Sequence, residues 1–474
     1  MLLKHSAMYL LARGLPGVIN FLAIALYTRL LTPDDYGRYA LIVAGVGLFN
    51  VVFFQWLRLS LLRFLPAHLE KPAPLLSTIM VAFSTLALLT GGLGILLAWL
   101  WPDPTWRGLV LLAVPLLWAQ AWFELNLELA RSKLQPLRYG LISGFKAVSA
   151  VGLGVLLVLW GLGAFGPLAG LLLGMLAAGL GLNCKEWSGL QFALSKSLIL
   201  HLMRFGLPLT ASFALGFVVS TSDRFLIRAF LDNSAVGVYA AGYDIAQNSL
   251  TLLMMIVNLA AYPLLIRTLE QKGIAATQEQ ARQNAILIMV VAVPASAGFA
   301  ALAPNIAAVM LGEAFRDQAV LLLPVIALAA LIAGVKSYYF DVAFQLGRWT
   351  LGQVWVLGVA ALINIVLNLW WIPLYGIQGA AYATAAAYGV GLMLSAVWGR
   401  KVFIMPFPSL DFLRIAGASV VMVLVLWPLL YTIKGIIGLM IQIGMGIIVY
   451  GLSCMVLNVA GSRVYVLALL KRRM

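Results

Sequence analysis

Charge is scarce in this 474-residue chain. Asp, Glu, Lys and Arg make up 10% of it, against roughly a quarter in a soluble domain. That shortage excludes a soluble globular protein, and equally a disordered chain, which stays open because it is polar and charged. Cysteine is scarcer still. Cys184 and Cys454 are the two present; nothing in their spacing defines a disulfide framework or a metal site, and both read as small buried apolar residues. His5, His68 and His201 share no spacing either. The alternation of apolar and polar residues that an outer-membrane barrel strand requires is missing. So are a P-loop, a Ser/His/Asp set, a Gly-x-Ser-x-Gly and an Asp-x-Asp sugar-nucleotide motif. ATP-driven transport and catalysis therefore have no foothold in the sequence, and the chain reads as a non-enzyme.

What is present is apolar surface. Hydrophobic residues form 63% of the chain, with a mean hydropathy of +1.01, in continuous runs. A membrane helix needs about 20 such residues. Pro, Gly and charge punctuate the chain into about 14 of them, so the fold class is an all-α polytopic membrane protein. The first run, Ala7 to Leu31, is too long for a signal-peptide core of roughly 7–15 residues and reads as a retained helix. The second, Tyr36 to Leu57, is followed by a basic loop carrying Arg58, Arg63, His68 and Lys71. A polar connector at 183–200 separates the first six helices (1–182) from the next six (201–400), and two more helices with a basic tail occupy 401–474. Among these, the eighth helix spans Ala235 to Ile266, a polar loop Arg267 to Gln283, and the ninth helix Asn284 to Leu311.

The net charge is +15. In a soluble protein that excess would suggest nucleic acid; here the positive-inside rule accounts for it. With both termini in the cytoplasm, 22 of the 31 Lys and Arg fall on the cytoplasmic side or near it, six fall outside, and Lys146, Arg224 and Lys336 lie within spans. That asymmetry predicts an even number of helices with both ends inside, and no nucleic-acid partner. Trp56, Trp99, Trp101, Trp106, Trp160, Trp370, Trp371 and Trp398 fall near helix ends and read as an aromatic belt.

The sequence also echoes itself. Gly37-Arg38-Tyr39-Ala40 recurs as Gly237-Val238-Tyr239-Ala240, each time after an acidic turn and an Arg (Arg29, Arg228). Phe165-Gly166-Pro167-Leu168-Ala169 has a counterpart in Tyr375-Gly376-Ile377-Gln378-Gly379. Similar offsets of 200 and 210 residues point to two six-helix lobes in parallel orientation, with the last two helices outside the repeat.

Three segments carry a family resemblance. The stretch Arg29-Leu30-Leu31-Thr32-Pro33-Asp34-Asp35-Tyr36-Gly37 resembles the first-loop signature of bacterial polysaccharide flippases, the Wzx-type exporters (O-antigen, lipopolysaccharide and exopolysaccharide) of the multidrug/oligosaccharidyl-lipid/polysaccharide superfamily. Residues 364–384, from Asn364-Ile365-Val366-Leu367-Asn368 through Gly379-Ala380-Ala381 to Thr384, resemble its eleventh-to-twelfth helix segment, and Ser222-Asp223-Arg224-Phe225 its seventh helix. The resemblance implies two lobes around a central cavity, alternating access, and a lipid-linked oligosaccharide on undecaprenyl pyrophosphate as cargo. It implies the bacterial inner membrane, and a polysaccharide polymerase and glycosyltransferases as partners. No cofactor is implied; coupling falls to protons, Na+ or the membrane potential.

A charge at the bilayer centre costs at least ~2.5–3.5 kcal/mol, so ionisable residues within spans are the functional pointers. Arg13 lies about two turns into the first helix, with Gly17 and Asn20 on its face; its guanidinium suits pyrophosphate, unless it snorkels to lipid headgroups. Glu124, Glu128 and Arg131 share a face of the fourth helix. Lys146 on the fifth is placed to pair with Glu124, either as a structural pair or in coupling or substrate contact. Asp223, Arg224 and Arg228 cluster near the outer end of the seventh helix, as a lock or a substrate contact. Asp244, Asn248, Thr251 and Asn258 form a polar stripe on the eighth helix, suited to sugar hydroxyls or to interhelical bonding. Lys336, Tyr338, Asp341, Gln345 and Arg348 form another on the tenth. Asn364 and Asn368, four apart, read as packing bonds.

Two other readings stand against the flippase. A multidrug/cation antiporter of the same superfamily wants carboxylates dominating its cavity, whereas here buried cations are as numerous. A membrane glycosyltransferase or polysaccharide polymerase wants a large outer loop, and no outer loop here exceeds about a dozen residues, against a usual length of about 4–6.

Overall fold

A computed structural model describes the backbone of residues 2–181, 187 and 195–463, and side chains from Gly14 on apart from 15, 180, 260, 431 and 460. Arg13 lies outside the described side chains, and residues 183–186 and 188–194 of the expected 183–200 connector lie outside the described residues, while 196–200 already belong to the helix that follows.

Helices α1 (Leu2–Leu30), α2 (Pro33–Phe49), α3 (Gln55–Phe64), α4 (Ala73–Leu100), α5 (Pro104–Ser132), α6 (Pro136–Leu159), α7 (Phe165–Gly181) and α8 (Lys196–Phe230) come first. They are followed by α9 (Asn233–Ala301), α10 (Ala303–Met310), α11 (Glu313–Val335), α12 (Val342–Leu346), α13 (Thr350–Tyr375), α14 (Ile377–Gly399), α15 (Ser409–Leu426), α16 (Leu429–Thr432) and α17 (Gly435–Val456). No strand occurs among the described residues. Helix is the form that satisfies every backbone N–H and C=O within its own segment, as lipid demands. Among the described residues, eleven helical stretches are long and apolar enough to cross a membrane, and Pro16–Leu30 and Phe165–Gly179 are shorter apolar helices. At 69 residues, α9 has a length of roughly 100 Å, enough for two crossings of a ~30 Å hydrocarbon core. It supplies both the eighth and the ninth expected spans, which brings the described crossings to the expected fourteen.

Two boundaries differ from the sequence reading. The expected loop at 267–283 is helical, interrupted where Gly273 turns to φ 78°, ψ −172°. Polar side chains there need not mean coil, because a helix that leaves the membrane keeps its own hydrogen bonds. Arg282 bonds Glu279 (Nε to Oε2, 3.0 Å) and reaches Asp411 at the start of α15 (3.4 Å), and its hydrogen bond holds the Glu279 carboxyl below the usual carboxylate range. The second difference matters more: the span that begins at Pro33 does not end at Leu57 but runs on to His68, through a π-helical segment at Asn50–Phe54. Arg58 is therefore in a helix, not in a loop.

The chain folds as two compact units, residues 1–228 with 232–237, and residues 229–231 with 238–474. In the first unit, α6 and α7 meet through small residues. A Cβ on Gly170 would lie 2.5 Å from the Ala150 oxygen and the Gly154 nitrogen, so the two backbones touch, as small-residue stripes allow in membranes. The acidic turn of the first echo starts α2: Thr32 caps it by accepting from the Asp35 N–H (3.2 Å), Pro33 follows, and Asp34 and Asp35 fill the first turn, where carboxylates complement the helix dipole. Within the first unit, the glycine that opens each copy of the echo meets backbone beside the other. A Cβ on Gly37 would be 1.8 Å from the Asn233 oxygen, one on Gly237 would be 2.1 Å from the Pro33 oxygen, and the Asn233 amide donates to Asp34 Oδ1 at 2.9 Å. Of the tryptophans expected in an aromatic belt, Trp99, Trp160 and Trp370 are well exposed, but Trp56 and Trp106 are buried. Trp56 packs against Gly206 of α8, which takes it out of any interface.

In the second unit a buried amide pair docks α17. Asn305 donates to Gln442 Oε1 (2.8 Å), Gln442 donates to the Leu429 and Ile433 carbonyls (2.9 and 3.0 Å), and Asn305 Oδ1 accepts from Gly435 N (3.1 Å). An unpaired buried amide costs about 1–3 kcal/mol. Asn305→Leu is expected to lower the melting temperature in detergent by several degrees, whereas Ile447→Ala, on an exposed face of α17, should leave it nearly unchanged. Asn364 and Asn368 are fully buried; Asn364 ties α13 to α14 by donating to Thr384 (3.3 Å), and Asn368 donates to Asn364 within α13 (3.1 Å).

Candidate functional site

Each unit holds a cluster of ion-paired side chains within its spans, and each cluster depends on a π-helical segment. In the first unit Glu124 and Glu128 sit one turn apart on α5, as the sequence spacing requires. Their partner is Arg58. A π segment inserts one residue into the helical register and turns the downstream helix by about 100°; beyond Asn50–Phe54, Arg58 meets both carboxylates. Its Nη1 is in close contact with Glu124 Oε2 and donates to Gln55 Oε1 at 3.0 Å, while Nη2 lies 3.5 Å from Glu128 Oε1. Asn50, on the π segment itself, donates to Glu124 Oε2 (2.7 Å), and Gln120 donates to Glu124 Oε1 (3.1 Å). Arg131 stands 3.5 Å from Glu128 Oε2.

The two carboxylates are held differently. Glu124 accepts from Arg58, Asn50 and Gln120. Glu128 has two ion-pair contacts, both at 3.5 Å, beyond a good charge-assisted hydrogen bond of about 2.7–2.9 Å. Asn50 Oδ1, Arg58 Nε and Glu128 Oε2 are buried atoms without a hydrogen-bond partner among the described residues. Three such atoms in one cluster are unusual, since buried polar atoms are nearly always satisfied.

The expected pair between Lys146 and Glu124 does not form. Glu124 is taken by Arg58, and Lys146 instead lies over the Phe123 ring, its Nζ 5.9 Å from the centroid, near the outer limit of a cation–π contact. Arg58 is the residue that the sequence reading misses. It reads as a loop cation because the apolar run thins at Gln55; the signal that could find it is the apolar spacing of Leu57, Leu61 and Leu65, all fully buried, which continues the helix past it.

In the second unit, Lys336 and Asp341 form an ion pair at 2.7 Å, with side chains only 4% and 2% exposed. They are five residues apart, about 140° around a regular α-helix. The π segment Lys336–Phe340, closed by the Asp341 N–H to the Lys336 carbonyl at 2.8 Å, brings them to one side. Ser395 on α14 donates to the other Asp341 oxygen at 2.6 Å. A Cβ on Gly391 would sit 3.1 Å from Lys336 Cε, so this glycine makes room for the lysine stem. The pair is sealed, whereas Arg58 and Glu124 keep 23% and 22% of their side-chain surface.

The remaining candidates lie on other helices. Asp223 is buried and Arg224 half-buried on α8; Asp244 is half-buried and Asn248 exposed on α9; Asn20 is exposed on α1. No group of three His, Cys, Asp or Glu able to hold a metal occurs among the described residues.

The chain is an all-helical polytopic membrane protein with ionisable groups inside its spans, and comparison with solved structures bears out the fold. The lipid II flippase MurJ in an inward closed conformation superposes with a TM-score of 0.81 at 16% identity, over 95% of this chain and 99% of that one. An inward-facing multidrug resistance MATE family transporter of the MOP superfamily gives 0.56 at 15% identity, over 83% and 97%. A MOP superfamily transporter from Pyrococcus furiosus gives 0.57 at 12%, over 84% and 94%. No curated protein sequence matches the chain. The profile of the polysaccharide biosynthesis protein family matches residues 26–320, and the chain belongs to that family.

Proposed function

We propose that the protein flips an undecaprenyl-pyrophosphate-linked oligosaccharide across the bacterial inner membrane by alternating access, in the service of surface polysaccharide synthesis. The observation that carries this reading is the Arg58 cluster: a partly accessible guanidinium inside a span of a polysaccharide biosynthesis family member. A pyrophosphate is the anionic, fork-shaped group for which arginine is suited. With both termini in the cytoplasm, the cluster lies toward the cytoplasmic ends of its helices, where the lipid-linked sugar is built. Glycosyltransferases supply the cargo and a polymerase consumes it. The lipid tail stays in the bilayer, and the coupling is to protons, Na+ or the membrane potential.

The antiporter reading draws on the MATE folds, but a site for organic cations needs carboxylates that are not already neutralised. Here Glu124 and Glu128 face Arg58, and Asp341 faces Lys336.

The test is flipping of a fluorescent lipid-linked oligosaccharide in reconstituted vesicles. Arg58→Gln is expected to cut the rate roughly 10- to 100-fold, the worth of a charge-assisted phosphate contact. An unchanged rate for a well-folded variant removes Arg58 from the site, and a wild type that exports a cationic dye but not the lipid-linked sugar reverses the assignment.

A further inference from the structure

We propose that Glu128 is an internal counter-anion: it stands in the place of the substrate phosphate at Arg58 and keeps the affinity for that phosphate low enough for release. This role rests on the pyrophosphate reading above and adds a residue that sets its strength.

Arginine binds phosphate or carboxylate best through two parallel N–H bonds. In Arg58 the Nη1 corner is committed, to Glu124 Oε2 and Gln55 Oε1. The opposite edge, Nε with Nη2, is not. Nε has no hydrogen-bond partner among the described residues, and Nη2 has only the 3.5 Å ion-pair contact to Glu128 Oε1. A two-point donor edge is thus left without a hydrogen bond, its Nε buried, with a carboxylate standing just outside bonding distance.

The two glutamates differ in a way that suits two roles. Glu124, bonded by Asn50, Gln120 and Arg58, fixes the guanidinium in place. Glu128 makes no hydrogen bond among those described; Arg58 and Arg131 hold it by charge alone, and its Oε2 is a buried atom without a bond. It is the carboxylate free to yield. The charged groups of the cluster are Glu124, Glu128 and Arg131 on α5, with Lys146 on α6 over the Phe123 ring. Counted with Arg58 they carry three positive charges against two negative, so the cluster attracts an anion while Glu128 opposes its closest approach.

A phosphate arriving at the Nε–Nη2 edge meets Glu128 as a like charge and must push it aside toward Arg131. That repulsion is felt only when the site is filled, so it weakens the bound state without weakening attraction from a distance. A carrier needs this balance, because a ligand moves a two-state protein only by its differential affinity for the states, and a headgroup held too tightly in one state stays there. Removing the negative charge of Glu128 should therefore tighten binding and slow transport together, a pair of changes that mere damage does not produce.

The experiment uses the full-length protein in detergent, with farnesyl pyrophosphate as a short-chain probe titrated by calorimetry, alongside vesicle flipping of the lipid-linked oligosaccharide. Glu128→Gln is expected to bind the probe about ten-fold more tightly than wild type, a step of about 1.4 kcal/mol, and to flip more slowly. Glu128→Asp, which keeps the charge but withdraws it from Nη2, is expected to fall between the two in affinity, and it decides the matter if the Gln variant fails to fold. Unchanged or weaker binding in the folded variants, with wild type binding normally, overturns the role of Glu128 and leaves the pyrophosphate reading standing. Wild type that binds no pyrophosphate probe and flips no lipid-linked sugar overturns the pyrophosphate reading, and this inference with it.

Discussion

Asp341→Ala is expected to destabilise the second unit by about 3–5 kcal/mol, because it leaves the Lys336 ammonium buried and unpaired. The magnitude reflects the environment. Both side chains are almost fully enclosed, and the carboxylate is bonded from within the protein, by Lys336 at one oxygen and Ser395 at the other. Ser395→Ala removes one neutral donor and should cost about 1–2 kcal/mol. Replacing both charges, as Lys336→Met with Asp341→Leu, should recover most of the single-site loss, since a buried pair can be replaced by well-packed apolar groups at little net cost. Thermal melting of the purified protein in detergent, followed by tryptophan fluorescence, reads all of these. The decisive pattern is the order of the melting temperatures: wild type and double variant close together, Asp341→Ala far below. A double variant that melts as low as the single one would mean that packing, rather than charge, sets the loss.

Pairing the melting series with a transport assay separates structure from mechanism. The pair sits on a π turn, a feature that recurs at functional positions. If the double variant melts like wild type but no longer flips its cargo, the charges at 336 and 341 act in transport. If it flips normally, they are a structural tie between the π segment and α14.

How far the sequence discloses this protein depends on the residues concerned. The number of crossings is legible because each apolar run is long and bounded by Pro, Gly or charge, and lipid leaves the backbone no choice but helix. The start of α2 is legible because Thr32, Pro33, Asp34 and Asp35 are the residues that cap and open a helix. Glu124 and Glu128 are legible as a pair because α5 is regular between them. Their partner is not. Helical periodicity assumes 3.6 residues per turn throughout, and the two π segments at 50–54 and 336–340 shift the phase by about one residue each. Past the first, Arg58 turns toward α5 instead of ending in a loop. Across the second, Lys336 meets Asp341 at a spacing that a regular helix would set on different sides. Single inserted residues leave no mark in composition. Both ion pairs thus fall where the periodic reading fails, and local departures from a regular pattern tend to gather at functional positions.

Gly37→Val is the other substitution expected to be severe, and its cause is backbone rather than charge. The added Cβ would stand 1.8 Å from the carbonyl oxygen of Asn233, against an ordinary separation of about 3.5–4.0 Å, with no flexible side chain to move away. The starts of α2 and α9 would have to part, and the bond from Asn233 to Asp34 (2.9 Å) would go with the contact. Overpacking of this kind against rigid backbone costs at least about 3 kcal/mol, and the yield of folded, monodisperse protein should fall with it. Gly45→Ala on the same helix is the matched control, since a Cβ there meets nothing within 4 Å; it should be neutral or stabilising by up to about 1 kcal/mol, from helix propensity. Gly237 faces the Pro33 oxygen at 2.1 Å, so Gly237→Ala should resemble Gly37→Ala. The informative variant carries both alanines. If the two glycines guard a single close approach, the separation forced by one methyl group already makes room for the other, and the double variant should lose much less than the sum of the singles. Additive losses would instead mean two independent packing sites, and the 200-residue echo of Gly-x-Tyr-Ala would then mark two similar helix starts rather than one contact made from both halves of the repeat.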